Sequence, residues 1–481
     1  MRTFLFIGLV MAVMGVPAQA QAQDASPLKI TGSYRVRAEG WRWFEGQGDN
    51  QYLFLGNIAK FSLARDHQSW DWQAELAAPF LMGLPSQAIA PAPQLQLGLG
   101  GIYNGANDRR SNTGMVFPKQ FWVRWKALGG DERQSLKLGR LEFNDATEVT
   151  PANATLATVK RLRIGHRLIG TFPWTHVGRS FDGGDYRFNS GRNHVALVGA
   201  MPTRGAFQVD GWGRMNIAFG HGSYTRQTGS GANAGELRLL GIYYHDWRGV
   251  LKTDSRTVAA RRADAGDLRL FTFGGHYIHT APGAGGSWDV MLWGMGQTGE
   301  WGALAHRAWS TDLELGYQPK ALPKLKPWLR VGYTRSSGDD DPNDGRHGTF
   351  FQMLPTPRPF AMTPFFNMMN SEDSYATLMI RPHKQWTVRG EAHVLRLTSA
   401  RDLWYQGGGA FQPWTFGYIG RPSGGARRLA NLYDVSADYT VNGNWALSAY
   451  LGYTDGRAVV RSIYPAGDNT TFGYLESTWK W

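Results

Sequence analysis

The chain predicts a transmembrane antiparallel β-barrel of about eighteen strands, and three observations predict it. Short segments alternate apolar and polar residues with period two along most of the length, the mark of strands that are wet on one face only. Their connections alternate between short and long, as tight periplasmic turns and extended extracellular loops do in outer-membrane barrels. The last segment, Phe472-Gly473-Tyr474-Leu475-Glu476-Ser477-Thr478-Trp479-Lys480-Trp481, sets Leu475, Trp479 and Trp481 on one face and Tyr474, Glu476, Thr478 and Lys480 on the other. A soluble domain gains little from such an end, because termini fray and expose their indoles. In a barrel the final strand pairs with the first, so that no backbone edge stands open in hydrocarbon.

The amino terminus, Met1-Arg2-Thr3, leads into an apolar stretch from Phe4 to Val16 and then Pro17-Ala18-Gln19-Ala20-Gln21-Ala22. This reads as a secretory signal over residues 1–20, cleaved after Ala20 or Ala22, with residues 21–481 forming a single barrel. The apolar stretch is too short to span a bilayer as a helix, and no later run reaches the roughly 18 residues that spanning requires. The predicted location is therefore the bacterial outer membrane. No cysteine occurs, so no disulfide staples the exported chain. Abundant Gly (61), Trp (20) and Tyr (19) accompany moderate apolarity, the balance of strands that alternate lipid-facing and water-facing residues. A formal net charge of +13 points to an anionic partner; export and the lack of any nucleic-acid motif turn that reading toward polyanionic glycans or solutes.

In chain order, Ile30, Tyr34 and Val36 oppose Arg35, Arg37 and Glu39, and Ala59, Phe61 and Leu63 oppose Lys60 and Ser62. Trp70, Trp72, Ala74 and Leu76 oppose Asp71, Gln73 and Glu75; Phe121, Val123 and Trp125 oppose Gln120, Arg124 and Lys126. Later, Leu329, Val331 and Tyr333 oppose Arg330 and Thr334, Trp386, Val388 and Val394 oppose Arg389, Glu391 and His393, and Tyr433, Val435, Ala437 and Tyr439 oppose Asp434, Ser436 and Asp438. Short turns fall at 66–69, 129–132, 189–192, 382–384 and 441–444; long loops fall at 81–114, 144–176, 337–371 and 398–425. Trp70, Trp288, Trp328, Trp386 and Trp445 each open a strand after a periplasmic turn, where an aromatic girdle belongs. Two stretches break the pattern. Gly220 to Gly235 is too long and Gly-rich for a periplasmic turn, so it is either a mobile flap or a misplaced register. In Leu136-Lys137-Leu138-Gly139-Arg140, strict alternation puts Arg140 on the lipid face at about 2 to 4 kcal/mol, unless a bulge at Gly139 turns it inward.

These residues resemble the alginate export family of outer-membrane barrels. Gly32-Ser33-Tyr34-Arg35-Val36-Arg37-Ala38-Glu39 is similar to the family's Gly-x-x-Arg-x-Arg-x-Glu start, and Phe121-Trp122-Val123 with Leu136-Lys137-Leu138-Gly139-Arg140 to its Phe-Trp-Val and Gly-Arg strands. Arg179-Ser180-Phe181-Asp182-Gly183, Ser337-Gly338-Asp339, Thr349-Phe350 and Leu354-Pro355-Thr356 also look like family signatures. The resemblance implies an eighteen-stranded channel for an anionic uronate polymer, with lumen roles for Arg35, Arg37, Arg140, Arg179 and Asp434. The resemblance also implies a long periplasmic turn acting as a lid before the penultimate strand, and the short Val441-Asn442-Gly443-Asn444 departs from it.

The inward basic set, Arg35, Arg37, Lys60, Arg124, Lys126, Arg140, Arg179, Arg187, Arg214, Arg330 and Arg389, outnumbers the inward acids Asp71, Glu75, Asp312, Glu314, Glu391 and Asp434. Cross-strand pairing accounts for many barrel charges at about 0.2 to 1 kcal/mol each. The surplus concentrates anions in a pore, and guanidinium matches a carboxylate bidentately. Two functions follow: passage of an anionic, alginate-like polysaccharide, or anion-selective uptake of small solutes or uronate oligomers. A surface adhesin would leave the lumen arginines unexplained. The cluster Lys160, Arg161, Arg163, His166 and Arg167 is either an anion-attracting lip over the mouth or a solvated loop touching lipopolysaccharide. Asp339, Asp341 and Asp344 are dense enough for Ca²⁺, but without EF-hand spacing a solvated turn is the competing reading. Expected partners are the anionic glycan, outer-membrane lipid with lipopolysaccharide, and periplasmic export-complex proteins. No cofactor is called for, and no enzyme: Gly220-His221-Gly222-Ser223 is not a nucleophile elbow and no His-x-x-x-His motif occurs.

Overall fold

Period-two alternation becomes a closed wall of eighteen antiparallel strands. The computed structural model describes residues 26–356 and 362–481, so the predicted signal peptide and its cleavage sites lie outside the described residues. The strands are β1 (Lys29–Arg42), β2 (Gln51–Asp66), β3 (Trp70–Met82), β4 (Phe117–Lys126), β5 (Gln134–Leu141) and β6 (Phe181–Ser190). They continue through β7 (Asn193–Pro202), β8 (Ile217–Ser230), β9 (Asn233–Asp246), β10 (Leu268–Gly283), β11 (Gly286–Trp301) and β12 (Leu304–Pro319). The last six are β13 (Trp328–Ser336), β14 (Ser371–Ile380), β15 (Trp386–Leu397), β16 (Arg428–Thr440), β17 (Trp445–Gly456) and β18 (Asn469–Lys480). Each pairs with its sequence neighbours, and β18 closes on β1 with Tyr34 opposite Trp479 and Ala38 opposite Leu475. Trp481 completes the seam by exchanging backbone hydrogen bonds of 3.0 and 3.1 Å with Gly32. Its indole fills the space beside Gly32, where an added Cβ would lie 2.2 Å from the ring. Closure leaves no unpaired edge for lipid to meet.

Outward positions carry exposed Phe121, Leu197, Leu313, Val435, Leu451 and Leu475, the surface that an acyl chain solvates. At the periplasmic rim, Trp288 packs on Tyr317 with centroids 4.3 Å apart, Trp386 on Tyr439 at 4.6 Å and Trp445 on Trp479 at 6.2 Å. Trp328 departs from the predicted girdle: it shares the inner face of β13 with Arg330, is buried, and donates its indole N–H to Asp289 at 2.9 Å.

Two predicted irregularities resolve differently in the structure. Gly220 to Gly235 is neither flap nor loop, because β8 and β9 run through it and turn at 231–232. His221, Ser223 and Thr225 are buried inside while Gly220, Gly222 and Tyr224 face out, so polar-in against glycine-out left the alternation without hydropathic contrast. β5 has no bulge at Gly139; it keeps register through Arg140, which stands opposite Phe121 and Asp182 on the outer face. The carboxylate of Asp182 accepts from both arms of that guanidinium at 2.7 and 2.9 Å, and loop carbonyls of Gly211 and Trp212 accept at 3.3 and 3.2 Å. Paired in this way, Arg140 does not present a bare charge to lipid. The register shift lies between β3 and β4, at Glu75 and Leu76, and it buries Lys119. Arg214, expected on the inner wall, is exposed in the connection between β7 and β8.

The interior is filled by the long connections. Helix α1 (Gly98–Ala106) packs inside the β3–β4 connection. The β5–β6 connection carries α2 (Ala154–Val159), continued by a π-helical turn Lys160–Ile164. Asn153 caps α2 by accepting from the Leu156 amide at 3.0 Å, and its side-chain amide donates to Gly231 O at 2.8 Å, in the periplasmic turn between β8 and β9. Gln318, at the periplasmic end of β12, donates to Thr155 at 2.9 Å. This connection therefore leaves the wall on the extracellular side and threads the lumen to its periplasmic end.

Candidate substrate pathway

The basic segment 160–167 is a plug, neither a lip over the mouth nor a solvated loop. Lys160 meets Glu236 of β9 at 2.6 Å, Arg163 meets Glu314 of β12 at 2.8 Å, and Arg167 pairs with Asp312. All six side chains are nearly sealed from solvent. Returning upward, the segment joins the β13–β14 connection: Leu354 N donates to Leu168 O at 2.9 Å, Gly170 N to Leu354 O at 2.8 Å, and Thr356 N to His166 O at 2.8 Å. Removing one partner of a buried ion pair costs about 3 to 5 kcal/mol, so these contacts hold the plug in place.

The predicted wall residues divide by burial. Arg37 forks between Glu476 (2.7 Å) and Glu39 (3.1 Å) and lies over the rings of Trp174 and Tyr474, with its side chain 2% exposed. Beside it, Arg35 donates to the plug carbonyls Pro173 O at 2.8 Å and Thr175 O. Arg330 binds Glu314 at 2.6 Å and also Asp289, and is 5% exposed. Arg389 reaches Glu391 at 3.3 Å, and Asp434, buried across the strand pair from Glu391, accepts from Tyr450 at 3.0 Å. Arg179 precedes β6 and so lies in a connection, not on a strand. Its guanidinium donates to Ala410 O and Gly408 O at 3.0 Å and to Pro355 O at 3.3 Å, and burial pulls it down to about 10. Arg35, Arg37 and Arg179 thus tie wall and connections together, while Arg330, Arg389 and Asp434 are engaged within the wall.

A second group stays partly wet. Lys60 on β2 is 28% exposed, with its nearest carboxylates at 3.8 Å (Glu75) and 4.0 Å (Glu142). Arg124 on β4 grips Asp71 and is 38% exposed; Arg187 on β6 grips Asp185, with one arm at 2.6 Å, and is 22% exposed. Lys137 on β5, over the Trp122 ring at 4.5 Å, joins the row. Lys137 is legible from the alternation Leu136-Lys137-Leu138, whereas the irregularity in β4 hides Lys119 from any reading by parity. Also missed was Arg238 on β9, which bonds Asp145 at 2.8 Å and Glu148 at 2.6 Å, because the stretch before it read as a loop.

Asp339, Asp341 and Asp344 do not converge on one point. Asp341 and Asp344 are exposed and accept from the amides of Asn343 (3.0 Å) and Arg346 (2.8 Å), each capping its own turn. Asp339 turns inward to Ser255 (3.0 Å), and its amide donates to Asp402 at 2.9 Å. Burial, then mutual repulsion, raises the Asp339 carboxyl to about 6, and burial raises Asp402 likewise. Such an arrangement ties two loops together and offers no set of oxygens for a cation.

A closed wall with lipid-facing exterior, an aromatic rim and a charged, loop-filled lumen defines an outer-membrane β-barrel of the channel class. A family model described as "Alginate export" matches residues 106–455, and the chain belongs to that family. Among solved structures it is similar to OpdK of Pseudomonas aeruginosa (9% identity, 94% of this chain and 99% of that one, TM-score 0.52). It is also similar to OccAB4 of Acinetobacter baumannii (8%, 94% and 98%, 0.52). A third likeness is to OccK2 of P. aeruginosa in complex with glucuronate (8%, 94% and 96%, 0.55). At such identities these likenesses show the fold alone. No curated protein sequence matches the chain.

Proposed function

We propose that this outer-membrane channel passes carboxylate-bearing carbohydrate of the uronate class, as single residues or as one extended chain. The observation that carries the reading is the wet row Lys60, Arg124, Lys137 and Arg187 across the adjoining strands β2 to β6. In its ion pairs the cation is the wetter partner, Arg124 at 38% against 11% for Asp71 and Arg187 at 22% against 5% for Asp185, so a solute carboxylate meets the open side of the guanidinium without displacing the resident carboxylate. Sealed pairs such as Arg330 with Glu314 present no such open side. Membership of the alginate export family and the glucuronate held by a neighbour of the same fold support the substrate class.

Export of a long polymer is the second reading, favoured by the family. It requires the plug to withdraw, because 160–167 crosses the lumen on three sealed ion pairs. Planar-bilayer recordings test both readings. The expected result is anion preference that weakens with salt, and current block by hexuronate oligomers that is lost in the Lys60→Glu/Arg124→Glu/Arg187→Glu variant. Cation preference at low salt, or block that persists in the triple variant, would overturn the assignment of this row.

A further inference from the structure

The extracellular mouth holds a cavity of about 600 Å³ between the β3–β4, β9–β10 and β15–β16 connections, apart from the wall row. Phe411, Trp414, Phe416 and Tyr418 line it together with Arg256 and Arg261. Three features separate it from loop packing. Trp414 is 55% exposed, and its indole makes no hydrogen bond or ring contact among the described residues. The turn that carries it is held rigidly, since one nitrogen of Arg248 donates to Gln412 O at 2.8 Å and to Thr415 O at 2.7 Å while the other arms grip Asp246. Arg261 has no carboxylate partner among the described residues; it donates to Lys252 O at 3.0 Å, and its Nε is buried without an acceptor. By contrast, Arg256 is spent on Asp254 and Asp264.

An indole fixed in position with its surface bare loses little entropy on binding, which is what a pre-formed recognition site requires. Lining the same space as a guanidinium whose Nη2 has no partner among the described residues, a space within the usual 300 to 1,000 Å³ of ligand pockets, it suits a ligand with one apolar face and one carboxylate. A hexuronate has both: the C–H face of the pyranose packs on the indole and the carboxylate meets Nη2 of Arg261. We propose that this cavity is an extracellular docking site for a terminal uronosyl residue, filled from outside before the solute meets the wall row. The assignment rests on the uronate reading above and adds a second, separable site at the outer mouth.

The test uses the full-length channel in detergent and in planar bilayers, with a hexuronate trimer and a neutral hexose trimer as probes. Trp414→Ala should weaken binding of both trimers roughly tenfold or more, and Arg261→Gln should weaken only the acidic one by a similar factor, with Arg261→Lys recovering part. Block by the acidic trimer should be stronger from the loop side than from the turn side, and both variants should abolish that difference. Single-channel conductance and anion preference should be unaltered in both, because neither residue lies on the wall row. Equal affinities in wild type and both variants, or equal block from the two sides, would overturn the docking site while leaving the wall row standing. Loss of anion preference in the wild type would fail the channel reading instead.

Discussion

At the scale of residues, burial decides what an arginine on a pore wall does. Arg37 and Arg124 have the same strand parity and both hold carboxylates, yet one is sealed and the other is open to water. Arg37→Met leaves buried Glu39 with His176 alone and Glu476 with Arg35 at 3.7 Å, and should cost about 3 to 5 kcal/mol, read as a lower temperature for the heat-induced shift in gel mobility. Arg124→Met removes a guanidinium that is 38% exposed, so the shift in mobility should be smaller than for Arg37→Met while anion preference falls. Equal loss of stability in the two variants would contradict the division of the wall into sealed and half-open cations. That division was invisible to parity, which assigns a face but not the loop that packs against it.

At the scale of elements, the plug and the seam each rest on few contacts. Glu314 accepts from both Arg163 and Arg330. Glu314→Gln removes the anion that Arg163 and Arg330 share, Arg330 keeping Asp289, and the plug should loosen, seen as a several-fold rise in single-channel conductance; unchanged conductance would mean that other contacts hold it. At the seam, Gly32→Val places a side chain where the Trp481 indole sits, and should lower the yield of folded barrel in outer membranes about as much as deleting Trp481. The loop tie between Asp339 and Asp402 makes a pH prediction. Both folded values, about 6, lie above the ordinary carboxyl value, so protonation stabilises the tie; the stability is full below about pH 4 and is lost as pH rises through 6. The protection of amides in residues 337–349, taken relative to their intrinsic exchange rates, should therefore fall between pH 5 and pH 7.5, and Asp339→Asn should flatten that change.

At the scale of the molecule, a closed wall and a filled lumen have separate origins. Closure follows from the backbone, because every strand edge must be paired in hydrocarbon. Filling follows from width, because side chains from eighteen strands leave space that the connections occupy. The purified barrel should run faster on gels before heating than after; a single mobility at all temperatures would contradict a closed, stable wall. The family and the fold are of channel type, and the plug makes conductance depend on one connection rather than on barrel diameter.

By itself the sequence determined the class, the strand faces, the alternation of short turns with long loops at 81–114, 144–176, 337–371 and 398–425, and the terminal strand that closes the wall. These features are local, since a period of two and a turn are written in neighbouring residues. Only the tertiary structure decided that 160–167 descends into the lumen, that Arg140 finds Asp182 on the outer face, and that Trp414 is left bare in a cavity it shares with Arg261. Each of these depends on residues far apart in the chain meeting across the barrel, and alternation along one strand carries no record of what lies opposite.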